Sequence, residues 1–378
     1  MERAKKIVNE LQEIGRNPKN SIIKTIKETK KSAVGCFPIY TPEELVYAAG
    51  ALPVGMWGGS RKGTQADRYL QTFCCSVMKA NTEQALSDQY QMLSAVIMTT
   101  YCDTLKCVME NWKVASPQLN IIPMVYPQNR KTEFGINFLE EELLRVKGRL
   151  EFILQKEISD SAIDDSLKLY DNYRQTMNQF VKLAPKYPDL FHASARHLII
   201  KAGYFMDKAV YTKKISELLE ILENKETVPS LNKRVILSGL MAEPEEFLDL
   251  FTENGMQVVA DDLAHESRQF RVEGIKNGSW MYRMAERMSR QDGCAFLYDD
   301  KKSRGDILKD MVINYEADAI VIVGMKFCDP EEFDYPILKK QLEKANIPLL
   351  YLEIEQQMDS VEQLRTRIQS FGEMLSCQ

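Results

Sequence analysis

No Cys-x2-Cys pair occurs among the eight cysteines, and there are only three histidines, His192, His197 and His265. Zinc ribbons and knuckles, which need closely spaced ligand pairs, are thereby excluded. Neither G-x4-G-K-[ST] nor G-x-G-x-x-G is present, so no phosphate-cradling loop is announced, and Gly58-Gly59-Ser60 reads as a plain loop. The G-x-S-x-G pattern of an esterase-type nucleophile elbow is also missing. No apolar run approaches the roughly 18 residues a membrane helix needs. The longest candidates, such as Ala319 to Met325, are strand-sized. Basic charge is not in excess: 49 Lys+Arg against 54 Asp+Glu leave a net charge of −5. That balance is a poor general match for nucleic acid or an anionic membrane surface. Met1-Glu-Arg-Ala-Lys-Lys carries basic residues with no apolar stretch behind them, and reads as an amphipathic helix start, not a signal peptide. The expected location is the cytoplasm, where structural disulfides are not expected.

What is present is an ordinary globular composition, 44% apolar and 27% charged, over 378 residues. That length accommodates two to three domains. Ala33 to Phe37, Leu52 to Trp57, Ala95 to Met98 and Ile121 to Tyr126 read as strands. Helices are expected between them, one beginning with Thr41 as N-cap and Pro42 in the first turn. From about Glu133 to Lys225 the pattern changes to long 3.6-period stretches without strand signals. A second alternating region follows, with strands at Arg234 to Gly239, Met256 to Ala260, Asp318 to Gly324 and Pro348 to Glu353. The expected fold class is α/β: two Rossmann-like or flavodoxin-like parallel sheets joined by a helical section. The expected divisions are 1–132, 133–227 and 228–378.

The cysteines are Cys36, Cys74, Cys75, Cys102, Cys107, Cys294, Cys328 and Cys377. A cysteine in a reducing compartment is most simply a buried small hydrophobe. Two of them have a more informative setting. Ala95-Val-Ile-Met-Thr-Thr-Tyr-Cys102-Asp103 and Ala319-Ile-Val-Ile-Val-Gly-Met-Lys-Phe-Cys328-Asp329 share one arrangement of strand, short loop, Cys-Asp and helix. Ligands of open α/β sheets sit outside the carboxyl ends of strands, and the Asp is expected to cap the helix. Helix N-termini favour thiolates and other anions. Cysteines so widely spaced are compatible with an iron–sulfur cluster between domains. Asp261, Asp262 and Glu266 follow a strand end and could bind or catalyse, although solvated loop acids are the simpler expectation. His192 and His197 read as surface or core residues of the helical section.

Several longer motifs then identify a resemblance. Gly35-Cys-Phe-Pro-Ile-Tyr-Thr-Pro-Glu-Glu, Ala49-Gly-Ala-Leu-Pro-Val-Gly-Met-Trp-Gly, Cys75-Ser-Val-Met and Cys102-Asp-Thr-Leu-Lys-Cys occur in this order. Pro127-Gln-Asn-Arg, Asp261-Asp-Leu-Ala-His-Glu-Ser-Arg-Gln and Met325-Lys-Phe-Cys-Asp-Pro-Glu-Glu follow them. Together they resemble the 2-hydroxyacyl-CoA dehydratase family, shared with ATP-dependent benzoyl-CoA reductases. Within it the β subunits of the 2-hydroxyisocaproyl-CoA and lactoyl-CoA enzymes look nearest.

The resemblance implies a β subunit in a heterodimer with an α subunit, each holding one [4Fe–4S] cluster. It implies a separate ATP-dependent activator that injects one low-potential electron, and a 2-hydroxyacyl-CoA substrate bound mainly by the α subunit. The implied reaction eliminates water to a 2-enoyl-CoA through a ketyl radical, whose one-electron chemistry makes the C3 proton acidic. Carried over residue by residue, Cys75, Cys102 and Cys328 match the cluster-ligand positions. Cys36, Cys107 or a non-protein group remain for the fourth. Tyr40, Glu43 and Glu44 match a motif linked to acid–base work in the α subunit, while helix capping accounts for the two glutamates here. Two other readings stay open: a double-cubane-cluster reductase of the same superfamily, and a non-catalytic electron-transfer subunit.

Overall fold

A computed structural model describes residues 1–59, 63–223, 225–227 and 230–377. Ser60 of the expected glycine loop, and Val228 and Pro229 at the expected 227/228 boundary, lie outside the described residues. The α/β expectation holds. The first sheet contains β1 (Ala33–Phe37), β2 (Leu52–Gly55), β3 (Leu93–Thr99) and β4 (Ile121–Met124), and the second β5 (Lys233–Gly239), β6 (Met256–Leu263), β7 (Ala319–Met325) and β8 (Leu349–Ile354). Every pairing is parallel, and the orders β2-β1-β3-β4 and β6-β5-β7-β8 are the same topology used twice. The short likeness between Ala95–Asp103 and Ala319–Asp329 thus falls on equivalent strands, β3 and β7.

Parallel strands covered on both faces read as unbroken apolar runs. β1 and β7 are buried along their whole length. Residues of both sheets, among them Val34, Ile97, Val235 and Val321, belong to one continuous core. A second core takes no residue from either sheet. It joins Ile7 and Leu11 of the N-terminal helix Glu2–Arg16 to Met177, Ile199 and Tyr211 from helices of the middle section.

Local details depart from the sequence reading in three places. The helix after β1 covers Glu43–Ala48 with Pro42 at its N-cap and no side-chain cap bond, so Thr41 does not cap it. Strand β6 extends through Leu263, so Asp261 and Asp262 are strand residues buried in the core and not solvated loop acids. Glu266, just beyond the strand, is buried as well. Cys102 and Cys328 themselves occupy the N-cap positions, with Asp103 and Asp329 as first helical residues.

The buried acids of β6 are saturated by arginines. Asp262 accepts from Arg268 Nε (3.0 Å) and Nη2 (2.8 Å), Arg271 Nη1 (2.6 Å), Arg304 Nε (3.2 Å) and the Ser238 hydroxyl (2.8 Å). Arg268 and Arg304 also donate to Glu331, at 3.2 and 2.7 Å. Burial alone would raise the Asp262 carboxyl, but Arg268, Arg271 and Arg304 hold it far below the ordinary carboxylate range.

A carboxylate whose folded pKa is depressed adds stability that is present above its unfolded pKa of ~3.9 and lost as pH falls toward the folded value. Asp262→Asn should therefore cost about 3–5 kcal/mol at neutral pH, because it strands buried guanidinium groups. Its urea midpoint should also fall less than the wild-type midpoint as pH drops below ~4. Equal wild-type and variant midpoints at pH 7 would contradict this account. A second expectation concerns Gly239, the last residue of β5. Its φ of +156 and the overlap a Cβ would make with the Val323 carbonyl oxygen demand glycine. Gly239→Ala should lower the thermal midpoint, with a cost of roughly 1–3 kcal/mol, whereas Gly148→Ala, in open space, should not.

Candidate functional site

In a doubly wound sheet the strand connections diverge where the order reverses, and a crevice opens outside the carboxyl ends there. The reversals lie between β1 and β3 in the first sheet and between β5 and β7 in the second. One narrow cavity takes its lining from the chain just after these strands: Pro38 and Ile39 after β1, Trp57 after β2, Cys102 after β3, Leu240 after β5, and Phe327 and Cys328 after β7. Cys75 completes the set of thiols. The two sheets therefore present their binding edges to the same space.

All three cysteines cap helices. Cys75 is the N-cap of Ser76–Leu86, Cys102 of Asp103–Ala115 and Cys328 of Asp329–Lys344. The Leu105 backbone N–H donates to Cys102 Sγ at 3.4 Å. Three N-termini, each with unpaired N–H groups and the positive end of a helix dipole, thus meet at one cavity. The Cys74 thiol and the first-turn N–H groups hold the Cys75 thiol below its ordinary value. Burial pushes Cys102 up to about 11 and Cys328 well above its ordinary value. Negative charge on Cys75 raises both of the others, and Cys102 raises Cys328, so the three groups sense one another. Most of the remaining lining is apolar, with Trp57, Met78, Leu240 and Phe296 as walls, and Thr104 and Asp329 are its polar members.

Three cysteines whose thiolates would repel one another, set in a mostly apolar cavity at three helix N-termini, suit a soft cationic iron centre that takes thiolate ligands. No other cysteine lines the cavity among the described residues. Cys36 is buried on β1, where burial, and then Glu43, hold its thiol well above the ordinary value against the smaller opposing pull of Thr41 and Lys208. Cys107 and Cys377 are exposed. Cys294 is buried 3.6 Å from Arg268 Nη1.

The motif residues Glu43 and Glu44 do more than precede a helix. Glu44 is buried and accepts from Arg174 Nη1 (2.8 Å) and Arg287 Nη2 (2.9 Å). Glu43 pairs with Lys208 at 3.0 Å and accepts from the Tyr170 hydroxyl at 3.1 Å. The Lys208 ammonium lies 4.5 Å from the centroid of the Tyr173 ring. Tyr40 adopts φ +53, and its carbonyl accepts from the Tyr126 hydroxyl at 2.7 Å. These glutamates sit in neutralised pairs, outside the three-cysteine cavity.

Sequence reasoning missed Gln356 and Ser76. The Gln356 amide donates to the Trp57 carbonyl (2.8 Å) and to Glu243 (2.9 Å), and its backbone N–H donates to the Ser76 hydroxyl (3.0 Å), next to Cys75. One residue after β8 thereby ties the second sheet to two segments of the first. Lone polar residues after a strand give no local signal of such a role.

Residues 38–375 match the family model described as 2-hydroxyglutaryl-CoA dehydratase, D-component. The chain is 42% identical over 377 residues to the lactoyl-CoA dehydratase subunit beta of Anaerotignum propionicum, covering 99% of this chain and all of that one. It is 40% identical over 375 residues to the (R)-phenyllactyl-CoA dehydratase beta subunit of Clostridium sporogenes, again covering 99% of this chain and all of that one. To the (R)-2-hydroxyglutaryl-CoA dehydratase subunit beta of Acidaminococcus fermentans it is 34% identical over 377 residues, 98% of this chain and 99% of that one. No described helix is long and apolar enough to cross a membrane. The chain belongs to the 2-hydroxyglutaryl-CoA dehydratase family, as a β-type subunit of a 2-hydroxyacyl-CoA dehydratase, a hydro-lyase.

Proposed function

We propose that this subunit holds one [4Fe–4S] cluster through Cys75, Cys102 and Cys328 and serves as the electron relay of a heterodimeric 2-hydroxyacyl-CoA dehydratase. The observation that carries the reading is the convergence of three helix-capping cysteines on one mostly apolar cavity between two sheet edges. The proposed partners are an α subunit, which takes most of the contacts with the 2-hydroxyacyl-CoA, and an ATP-dependent activator protein. When bound, the cluster would supply reversible one-electron transfer at low potential, the chemistry that radical loss of water requires.

The chain's own residues would do the rest. The N–H groups at the three helix starts stabilise negative charge on the thiolates. Trp57, Leu240 and Phe296 keep water away from the sulfur ligands. Burial keeps Cys102 and Cys328 protonated until metal arrives, so loading releases protons and weakens as pH falls. The cavity contributes three thiols, and the fourth position is assigned to a non-protein ligand because Cys36 and Cys107 do not line it.

Protein purified without oxygen should be brown and contain about four irons per chain with matching acid-labile sulfide. Cys102→Ala and Cys328→Ala should lose both iron and sulfide, while Cys294→Ala and Cys377→Ala should keep them. Full iron and an unchanged cluster spectrum in the first two variants would sink the ligand assignment. The isolated chain should not dehydrate any 2-hydroxyacyl-CoA. Activity should appear on adding the α subunit, the activator, ATP, Mg²⁺ and a strong reductant, and turnover by this chain alone would point to the double-cubane-cluster reductase.

A further inference from the structure

Trp57 lines the three-cysteine cavity, and its indole meets the His265 ring edge-on at a centroid distance of 4.7 Å. Around His265 lies a second cluster of ligating groups that the cysteines do not use. We propose that His197, His265 and Glu266 form a separate binding site for one divalent first-row transition ion, Zn²⁺ or Fe²⁺. Each side chain offers one ligand atom, and the three atoms lie within 4.8 Å of one another. All three residues are at most 2% exposed. Bonds of about 2.0–2.1 Å put tetrahedral neighbours about 3.3 Å apart, so small torsional changes close the site.

His265 is the independent observation. Both of its ring nitrogens are fully buried and have no hydrogen-bond partner. Buried polar atoms are nearly always paired, so this imidazole is set for a partner that the polypeptide does not supply.

The surrounding shell already has the arrangement of a metal site. His197 Nδ1 is 2.9 Å from Glu266 Oε1, and Nε2 is 3.1 Å from Glu243 Oε1. With Nδ1 on the ion, the Nε2–H donates to Glu243, the carboxylate–histidine–metal relay that fixes tautomer and ring orientation. Glu266 keeps its Oε2 on Arg196 Nη1 at 2.6 Å, and its Oε1, which accepts from His197 Nδ1–H in the empty site, turns to the ion when that proton leaves. Glu243 is in turn held by Gln356 and Lys201. In the empty site both His197 ring nitrogens face carboxylate oxygens and carry protons, so the His197 imidazolium, Arg196 and Lys201 balance Glu243, Glu266 and Asp261, and an entering cation takes the place of the Nδ1 proton. Two imidazoles and a carboxylate select zinc or ferrous iron over the hard, oxygen-seeking Mg²⁺ and Ca²⁺. The ion would clamp the helix Ala193–Ala202 to the turn after β6, directly behind a wall of the cysteine cavity.

Metal and acid-labile sulfide are to be measured on anaerobically purified wild-type protein, on the Cys102→Ala/Cys328→Ala double variant and on His265→Gln. The double variant should lose sulfide and its accompanying iron yet retain one zinc or iron per chain. His265→Gln should lose that one ion with sulfide unchanged. Elemental analysis identifies which metal it is. The metal-free Cys102→Ala/Cys328→Ala variant titrated with Co²⁺ alone should develop visible d–d bands without thiolate-to-cobalt charge transfer, and excess Zn²⁺ should abolish them. With the cavity thiols removed these bands report the imidazole site, and the result stands even if His265→Gln does not fold. Absence of any metal beyond what the sulfide accounts for, together with no Co²⁺ bands, would overturn the proposal and leave His265 a water-paired core residue. Retention of the cluster by the cysteine double variant would overturn the cluster ligands instead, and leaves the imidazole site to be judged by Co²⁺.

Discussion

Two parallel sheets turn their carboxyl edges toward the same cavity, and the rest of the molecule is arranged to keep them there. Each edge contributes helix N-termini, which are anion-favouring because their first N–H groups have no intrahelical partner. A single edge would supply one or two such ends. Two edges supply three, capped by Cys75, Cys102 and Cys328. The sequence separation between Cys102 and Cys328 disappears only because β3 and β7 occupy equivalent positions beside the reversal point of their sheets.

The two halves are held in register by buried polar groups, and this choice has a physical consequence. Apolar contacts tolerate sliding, whereas a buried charge-assisted hydrogen bond from a guanidinium to a carboxylate tolerates little. Such pairs are often no more stabilising than packed hydrophobes, and registry is their best-attested use. Here Glu44, near the first sheet, is shared by Arg174 of the helical section and Arg287 of the second α/β region. Arg130 is buried and donates to the Gln291 carbonyl and to Asp292, both at 2.9 Å. Glu331 lies in the first turn of the helix that Cys328 caps, and it takes Arg268 and Arg304 from the Asp262 network. The position of one cavity thiol therefore depends on ion pairs rooted in β6.

The fold was legible because parallel strands and their helices write their burial locally. Ala33–Phe37 and the apolar run of β7 needed no tertiary information, and both occur within a residue of the expected bounds. The cysteines were legible through motif and strand end. Their capping role was off by one residue, since Cys and Asp are both acceptable at a helix start and only the backbone angles separate N-cap from N1. The polar interior was not legible. Asp261-Asp262 looks like a loop because charged pairs usually are, and the arginines that neutralise Asp262 follow it by 6 to 42 residues. Periodicity reports that a residue is buried and says nothing about which distant partner satisfies it. The same gap hid Gln356, Ser76 and the imidazole pair, whose roles exist only once the two sheets have met.

Domain closure and cavity formation are consequently one event. Trp57 is wall of the cavity, acceptor of the Gln356 amide and neighbour of His265. Ser76 follows Cys75 and is bonded both to Gln356 N–H and to Met325 Sδ at the end of β7. None of these contacts can form within one half of the chain. A metal centre gripping thiols from both halves would draw its binding energy from the same closure that the Gln356, Arg130 and Glu44 bonds already favour. Those bonds lower the entropy that the metal must overcome in gathering three distant thiols. That is a physical reason for a buried polar junction at a place where apolar packing alone would hold the sheets together but leave the spacing of the cysteines undefined.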